Sequence, residues 1–385
     1  MTESPASSYQ LRALMVFIAV LSAPGLAIAD DHFRITPSVS ATTLQETNVF
    51  ATASSRQSDF IMRLTSGADV QYRSTIWTLA GRCSIDAERY ASHPELTTFN
   101  ARRHAEIGLT YAPTRRLTID AGAELSGTET PGELNRETGL VFTRAAAQRA
   151  AVRGSIARKF DREMTGTIAY GFASDTLAGF FDTRVHDFRL SGERRLSSRD
   201  TARAGYRVQA FSFSGIGLVT PAAVSQTFTI GMTRSVTRQT TVAIDAGPQL
   251  TDGALGPDLL VAVRHDTASF DYVLSYGHTQ AIVFGLAGTA ATDSVTTTVA
   301  WAQRRALQVR VSPAFYESRT RSARAQVGRV AINVTRTLLP GISVDAGVDA
   351  GIQQGNLFPS VGDTTIPYRT VAITIVATPP ARAAR

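Results

Sequence analysis

Apolar and polar residues alternate one for one along most of this chain, and that rhythm limits the possible folds more than any other feature. In Leu117–Leu125 the apolar residues are Leu117, Ile119, Ala121, Ala123 and Leu125, separated by Thr118, Asp120, Gly122 and Glu124. A helix would smear that order around its circumference, whereas a strand puts all five apolar residues on one face. The same period of two runs through Trp77–Ile85, Ile107–Tyr111, Met164–Phe172, Ala204–Val208, Phe228–Met232, Phe270–Tyr276, Leu307–Val311 and Val371–Ile375.

Short polar turns join these strands in pairs: Pro113–Arg116, Phe160–Glu163, Ser197–Asp200, Thr237–Gln239, Arg264–Thr267, Gln303–Arg305 and Thr335–Thr337. The opposite ends carry longer, Gly/Pro-rich connections at Gln45–Arg56, Ser126–Arg144, Gly215–Pro221, Thr251–Pro257, Thr279–Thr292 and Gln354–Pro367. Short turns at one end and long loops at the other are the pattern of an outer-membrane barrel, with the short turns in the periplasm. Hairpins across the short turns, an opening strand near Phe33–Leu44 and a closing strand near Tyr368–Ala377 predict an all-β, transmembrane, antiparallel up-and-down β-barrel of about 18 strands. Roughly 16 strands is the alternative, because the pairs near Val141–Ile156 and Leu259–Val273 are hard to delimit.

Composition fits this class. Only 18 % of residues are charged and the mean hydropathy is −0.02, yet no apolar run after the N-terminal segment is long enough to span a membrane as a helix. Alternating strands cancel in such averages. Leu11–Ala29 reads as a secretory signal peptide, with Arg12, an apolar centre from Leu14 to Val20 and a small-x-small site at Ala27–Ala29. Residues 1–29 are therefore expected to be removed, leaving a barrel from 30 to 385 with a short tail at 378–385. The competing reading of residues 11–29 is a membrane anchor, for which the apolar stretch is short. A single cysteine, Cys83, excludes an internal disulfide framework. The net charge is +7 and the only lysine is Lys159. The arginines are scattered among acids instead of gathered in a stripe, which argues against nucleic acid as a partner.

Facing follows from energy. An arginine on the lipid face at mid-membrane costs roughly 2–4 kcal/mol. Turning the apolar set outward places Arg63, Arg82, Arg102, Arg149, Arg153, Arg203, Arg207 and Arg310 on the lumen side, together with Asp86, Glu106, Asp120, Glu124, Asp245 and Asp345. These fourteen are the expected pore-lining charges. Arg103 and Arg194 fall on the outward parity and are expected near strand ends. Three copies of one phrase, LTIDAG, VAIDAG and ISVDAG, place Asp120, Asp245 and Asp345 just after turns that contain Thr-Arg. Neighbouring strands lie about 4.8 Å apart, so cross-strand ion pairs along the wall are easy to form. The long connection Ser126–Arg144 either folds inward to narrow the lumen or lies outside as a lid, the lid being favoured.

Catalytic signals are weak. None of the six histidines sits at metal-ligand spacing, and no nucleophile elbow or phosphate-binding glycine loop occurs. His93 and His278 are expected in loops and His265 in a turn. No catalytic, cofactor or metal residue is expected.

From Ile35 the chain reads ITPSVSATTLQETNVFATASSRQSDFIMRLTSGADV, with Pro37, Asn48-Val49-Phe50 and Ser58-Asp59-Phe60 in order. With Glu88–Leu125 and Glu133–Arg144, this stretch resembles the β-barrel porins associated with bacterial exopolysaccharide and protein-sorting gene clusters. Two departures are Thr47, where that family often has an acid, and a C-terminus ending VATPPARAAR in place of an aromatic residue. The resemblance covers about the first 150 residues; it implies an outer-membrane pore and carries over no catalytic residue. The expected function is a water-filled, porin-like conduit for small polar solutes with at most weak anion preference, contacting outer-membrane lipid. The alternatives are an exopolysaccharide export pore working with periplasmic partners, and a non-conducting structural or surface-interaction barrel.

Overall fold

A computed structural model describes residues 32–135, 137–215, 218–303, 307–357 and 365–379, with the side chains of 218–221 excepted. The expected signal peptide lies outside these residues, as do Arg136 and most of the C-terminal tail. The strands in chain order are β1 (Phe33–Glu46), β2 (Asp59–Arg73), β3 (Trp77–Tyr90), β4 (Thr98–Thr114), β5 (Leu117–Thr128) and β6 (Ala147–Lys159). There follow β7 (Met164–Leu177), β8 (Asp182–Arg195), β9 (Asp200–Gly215), β10 (Leu218–Ser235), β11 (Thr240–Thr251) and β12 (Ala254–Asp266). The last six are β13 (Phe270–Ile282), β14 (Thr289–Gln303), β15 (Leu307–Arg319), β16 (Arg324–Leu339), β17 (Ile342–Gly355) and β18 (Thr365–Ala377). Each strand pairs antiparallel with its sequence neighbours, and β1 pairs with β18, closing an 18-stranded ring.

Closure leaves no sheet edge, so every strand finds two ladders and needs no solvent to satisfy its backbone. One face carries a continuous exposed apolar surface, including Leu64, Ile107, Ile156, Ile168, Leu190, Ile230, Val295 and Ile373. Aromatics cluster on this face near the short turns: Trp77 stacks on Tyr111 at 4.0 Å, and Phe270 and Trp301 are register partners. Near the long loops, Phe60, Phe99 and Phe315 stand exposed. An apolar band between two aromatic girdles is the outer surface of a membrane barrel. Cys83 is an exposed free cysteine on the same face.

Seven expected turns stand against the structure as follows. Pro113–Arg116, Phe160–Glu163, Ser197–Asp200, Thr237–Gln239 and Arg264–Thr267 all fall at strand junctions. In the second of these, the backbone N–H groups of Glu163 and Met164 both donate to Asp161 at 2.7 Å and hold its carboxyl below the usual range. Gln303–Arg305 lies partly outside the described residues. Thr335–Thr337 is not a turn. These residues continue β16, and the chain reverses at Pro340-Gly341, where Gly341 takes φ 86°. Proline cannot extend the ladder and glycine accepts the left-handed backbone, so the reversal is displaced to that pair.

Two expected long loops are also absent. Gly215–Pro221 is mostly strand, with β10 starting at Leu218 and a register shift between Thr220 and Ala223. Thr251–Pro257 contains only a two-residue reversal at Asp252-Gly253, with φ 49° and 81°. Pro257 lies in β12 directly opposite Pro248 of β11. The β10–β11 ladder skips Phe228 and Thr229, opposite Pro248 and Gly247, so the missing N–H of Pro248 costs one rung and not the strand. Val141, placed near a strand by its sequence, lies instead in the connection between β5 and β6.

Candidate functional site

The connection between β5 and β6, residues 129–146, defines which side of the ring is inside. It leaves the wall at β5 and reaches residues on β15, β16 and β17, a contact that can form only through the lumen. The expected lid is therefore an inward loop. Leu140 and Phe142 pack with Val283, Ala290, Ala325, Val327 and Leu357 in one buried cluster. The backbone N–H of Val141 donates to Gln353 Oε1 at 2.8 Å. Gly139, with φ 63°, passes so close to Tyr316 that an added Cβ would lie 2.7 Å from its ring. Leu134 joins Ala147, Leu177 and Phe284 in a second cluster. Folding inward buries these apolar side chains, which a lid would leave in water, and this decides the conformation.

Both feet of the loop are clamped to one wall residue. Glu88 of β3, 4 % exposed, accepts hydrogen bonds from Arg63 Nε at 2.7 Å, Arg102 Nη1 at 2.7 Å and Tyr90 Oη at 2.8 Å. Arg102 also donates to Glu133 from Nε at 2.6 Å, tying the first foot. Arg144 donates to Tyr90 Oη at 2.7 Å, tying the second. A buried carboxylate with three donors is satisfied, and the network holds the loop at the β3–β4 wall. Glu133 and Arg144 were outside the expected set of lining charges. Glu88 shares the inward parity of Arg82 and Asp86 on β3 and is expected on the lumen side, whereas Glu133 and Arg144 lie in a segment with no period to read.

A second, shorter inward loop, 283–288, carries Val283 and Phe284, both at or below 2 % exposure. Together the two loops fill the loop end of the lumen between β6–β9 and β13–β17. On the β1–β5 side a cavity of about 710 Å³ remains, lined by Phe50, Gln57, Glu95, Thr98, Glu129 and Arg144 among others.

Deeper in the lumen the wall carries a shallow trough. One cross-strand row reads Ala80, Gly108, Gly122, Arg153, Gly171 and Asp187 on β3 to β8. Two cavities of about 460 and 600 Å³ lie along it and share Ala80, Gly108 and Arg153. The Arg153 side chain lies flat against Gly122, where an added Cβ would sit 3.1 Å from its Nε.

All fourteen residues expected on the lumen side share the face that the inward loops touch, as the register fixes. They do not converge on one point. Arg63 and Arg102 belong to the Glu88 network, with Asp86 3.8 and 3.7 Å from them. Arg82 pairs with Asp69 at 2.6 Å, although Glu106 is its direct neighbour on β4. Glu106 faces Glu124 directly across β4 and β5. Arg149 makes a two-pronged pair with Asp175 at 2.7 and 2.8 Å, and Arg203 does the same with Asp245 at 3.1 and 2.7 Å. Arg207 and Arg189 share Asp187. Arg153 and Arg310 have no carboxylate within 4.0 Å among the described residues.

The three repeated aspartates are in three different settings. Asp120 accepts from Thr110 at 2.6 Å, Asp245 binds Arg203, and Asp345 stands between Thr335 and Thr374. Of the two arginines expected on the outward parity, Arg194 is the penultimate residue of β8, but Arg103 is the sixth residue of β4. Gly127 opposite makes room for its stem, with an added Cβ only 2.7 Å from Nε, so the guanidinium can run along the wall toward the loop end. His278 lies within β13 and not in a loop, and its Nδ1–H donates to Asp293 Oδ1 at 2.7 Å. Among the described residues no group of three or more His, Cys, Asp or Glu could hold a metal ion.

The fold and its lumen define a class: a closed outer-membrane-type barrel with loops folded into a charged lumen. No family model and no curated protein matches the sequence. Solved structures of the same architecture do match. The ferric-catecholate import receptor Fiu from E. coli K12, in its open form, is 10 % identical with a TM-score of 0.51, over 91 % of this chain and 78 % of that one. OccK7 (OpdD) of Pseudomonas aeruginosa is 8 % identical with a TM-score of 0.47, over 91 % of this chain and 100 % of that one. OpdQ of the same organism is 7 % identical with a TM-score of 0.44, over 90 % and 97 %. At such identities the likeness is one of fold.

Proposed function

We propose that this protein resides in the outer membrane and is a water-filled conduit through which small polar solutes diffuse. The observation that carries this reading is the combination of a closed 18-stranded ring with an inward loop that narrows its loop end. A ring of this size encloses an aqueous channel unless something fills it. The two inward loops occupy one sector of the mouth, and polar cavities continue beside and below them. Residues 1–29 serve as the export signal and residues 378–385 as a periplasmic tail in this reading.

The fourteen lumen charges act as the pore wall. Most are neutralised in pairs, which supports rigidity and a mild field. Arg153 and Arg310 stand without a carboxylate, while Glu106, Asp120, Glu124 and Asp345 stand without an arginine among the described residues. A weak anion preference therefore rests on the two arginines together with the basic balance of the chain, net +7. Planar-bilayer recording of the refolded protein tests this. Steady channels with a reversal potential favouring chloride over potassium are expected. Absence of conductance would leave a structural or surface-interaction barrel, and strong cation selectivity would overturn the assigned role of the two arginines. The likeness of residues 35–150 to porins of exopolysaccharide gene clusters makes polysaccharide, delivered by periplasmic partners, the second cargo to test. Block of the channel by an acidic polysaccharide added on the short-turn side would favour it.

A further inference from the structure

The charge of this chain is concentrated at one rim. The short turns and flanks 73–76, 114–117, 158–163, 193–200 and 234–239 hold eleven basic side chains against four acidic ones. All lie at the periplasmic end of β2–β11. Two of the arginines, Arg158 and Arg194, have the outward parity of the apolar band, because Arg158 is paired with Gly166 and Arg194 with Met164. Neither has a carboxylate within 4.0 Å among the described residues. The nearest acid in the turn, Asp161, is already engaged by the two backbone N–H groups of Glu163 and Met164. These cations therefore face lipid at the membrane edge with no ion pair within 4.0 Å, Arg158 lying over the Phe160 ring and Arg194 acting on Asp161 only at longer range.

The wall beside them is notched. Arg158, Gly166, Gly192 and Ala204 form one outward cross-strand row from β6 to β9. The row nearer mid-membrane is bulky, with Ile156, Ile168, Leu190 and Tyr206 in register and all exposed. A Cβ added at Gly192 would meet nothing within 4 Å. Phe160 closes the notch on one side: its ring folds onto Gly166, and the Arg158 guanidinium lies 5.8 Å from the ring centroid. Arg158 and Arg194 are two strands apart, about 10 Å along the sheet. A phosphate over Gly192, beside the Phe160 ring, falls within reach of both side chains.

We propose that this notch seats a phospholipid of the periplasmic leaflet, its phosphodiester held by Arg158 and Arg194 and its acyl chain running over Ile168 and Leu190. The order of chemistry down the wall is that of the lipid: apolar side chains, then a small-residue step, then two guanidinium groups, with an aromatic ring at the interface. Free phosphate would use the two arginines alone and leave the exposed apolar row without a role, so the lipid is the occupant that fits the whole surface. The inference rests on membrane placement of the barrel and not on conduction.

Native mass spectrometry on the full-length folded protein in detergent tests it, with phosphatidylglycerol as the probe and diacylglycerol as the headgroup-free comparison. Wild type is expected to retain phosphatidylglycerol and not diacylglycerol. Each arginine near an anionic lipid surface contributes roughly five-fold in affinity, so R158Q/R194Q is expected to bind about 30-fold more weakly. Gly192→Leu keeps both charges but fills the notch, and should also lose the lipid. R319Q/R324Q, at the opposite rim, should leave binding unchanged. Heat-modifiable mobility in gel electrophoresis confirms that each variant is folded. Equal binding by R158Q/R194Q and wild type would overturn the proposal. So would full displacement of the lipid by glycerol 3-phosphate, which would indicate a simple anion site, or loss that is the same for R319Q/R324Q.

Discussion

Releasing the inward loop should open the channel without unfolding the barrel. The variant is L140A/F142A. Leu140 is 2 % and Phe142 8 % exposed, and both pack on Val283, Val327 and Leu357. Truncating a buried Leu costs about 2–5 kcal/mol and a buried Phe about 3–5 kcal/mol. The two side chains share neighbours, so the sum is not additive, and roughly 4–8 kcal/mol is the reasonable total. A shift of about 5.5 kcal/mol moves a two-state equilibrium from 1:99 to 99:1, so the docked loop should become the minor state. The ring of strand ladders contains neither residue and should keep its thermal transition. Single-channel conductance in planar bilayers should then rise. Trypsin should cut after Arg144 faster, because that side chain is otherwise held by Tyr90. Accelerated cleavage with unchanged conductance would refute the claim that this loop constricts the channel. Slow cleavage with unchanged conductance would refute the energetic argument for its docking.

Facing can be tested by a neighbouring pair on β7: Ile168→Arg, on the lipid side, should lower folding stability in bilayers by about 2–4 kcal/mol, whereas Ala169→Arg, on the lumen side, should cost little; equal costs would reverse the assignment. Gly231→Ala places a Cβ 1.8 Å from Asp245 Oδ1, so it should expel that carboxylate from Arg203 and destabilise the barrel by about 1–3 kcal/mol through the lost charge-assisted pair, read as a lower urea midpoint; an unchanged midpoint would show the pair to be dispensable. Cys83, alone and outward, should react with a small thiol reagent in detergent and be shielded from a membrane-impermeant one in lipid vesicles; equal labelling would place β3 outside the bilayer. R153Q/R310Q should move the reversal potential toward cation preference, and a shift toward anions would show that other charges set selectivity.

The strands and their facing were legible in the sequence because period two depends on nothing but adjacent residues. Leu117–Leu125 names its own two faces, and the register then places Asp120 in the lumen beside Thr110 and Ser155. The loops were not legible for the opposite reason. Leu134, Leu140 and Phe142 have no periodic relation, and their partners Val283, Val327 and Leu357 lie far away in the chain. Glycine and proline misled in both directions. At Gly215–Pro221 and Thr251–Pro257 they resemble loop composition, yet opposed Pro248 and Pro257 sit within a strand pair. At Pro340-Gly341 they make the actual turn, a few residues beyond the Thr-Arg phrase that resembled one.

The pairing pattern in the lumen bears on how the wall can be both rigid and selective. Some charges directly opposite one another on adjacent strands pair, as Arg63 with Glu88 and Arg149 with Asp175 do, but others do not. Arg82 sits opposite Glu106 but binds Asp69, which is its register partner on the other side. Arg207 and Arg189 are opposed like charges held by one Asp187. Glu106 and Glu124 are opposed like charges with no arginine bridging them within 4.0 Å among the described residues. Opposed like charges are unfavourable by themselves, so their presence on the wall sets aside pure stability as the principle of arrangement. A lattice built only to keep the ring round would place each arginine against a carboxylate. What remains after pairing is a local field of alternating sign along β4–β9, negative at Glu106 and Glu124 and positive at Arg153. Neutralising Glu106 and Glu124 together should therefore stabilise the barrel while making the channel more anion-selective. Destabilisation by E106Q/E124Q would instead show that both carboxylates have a structural partner, and that the field is a by-product of folding.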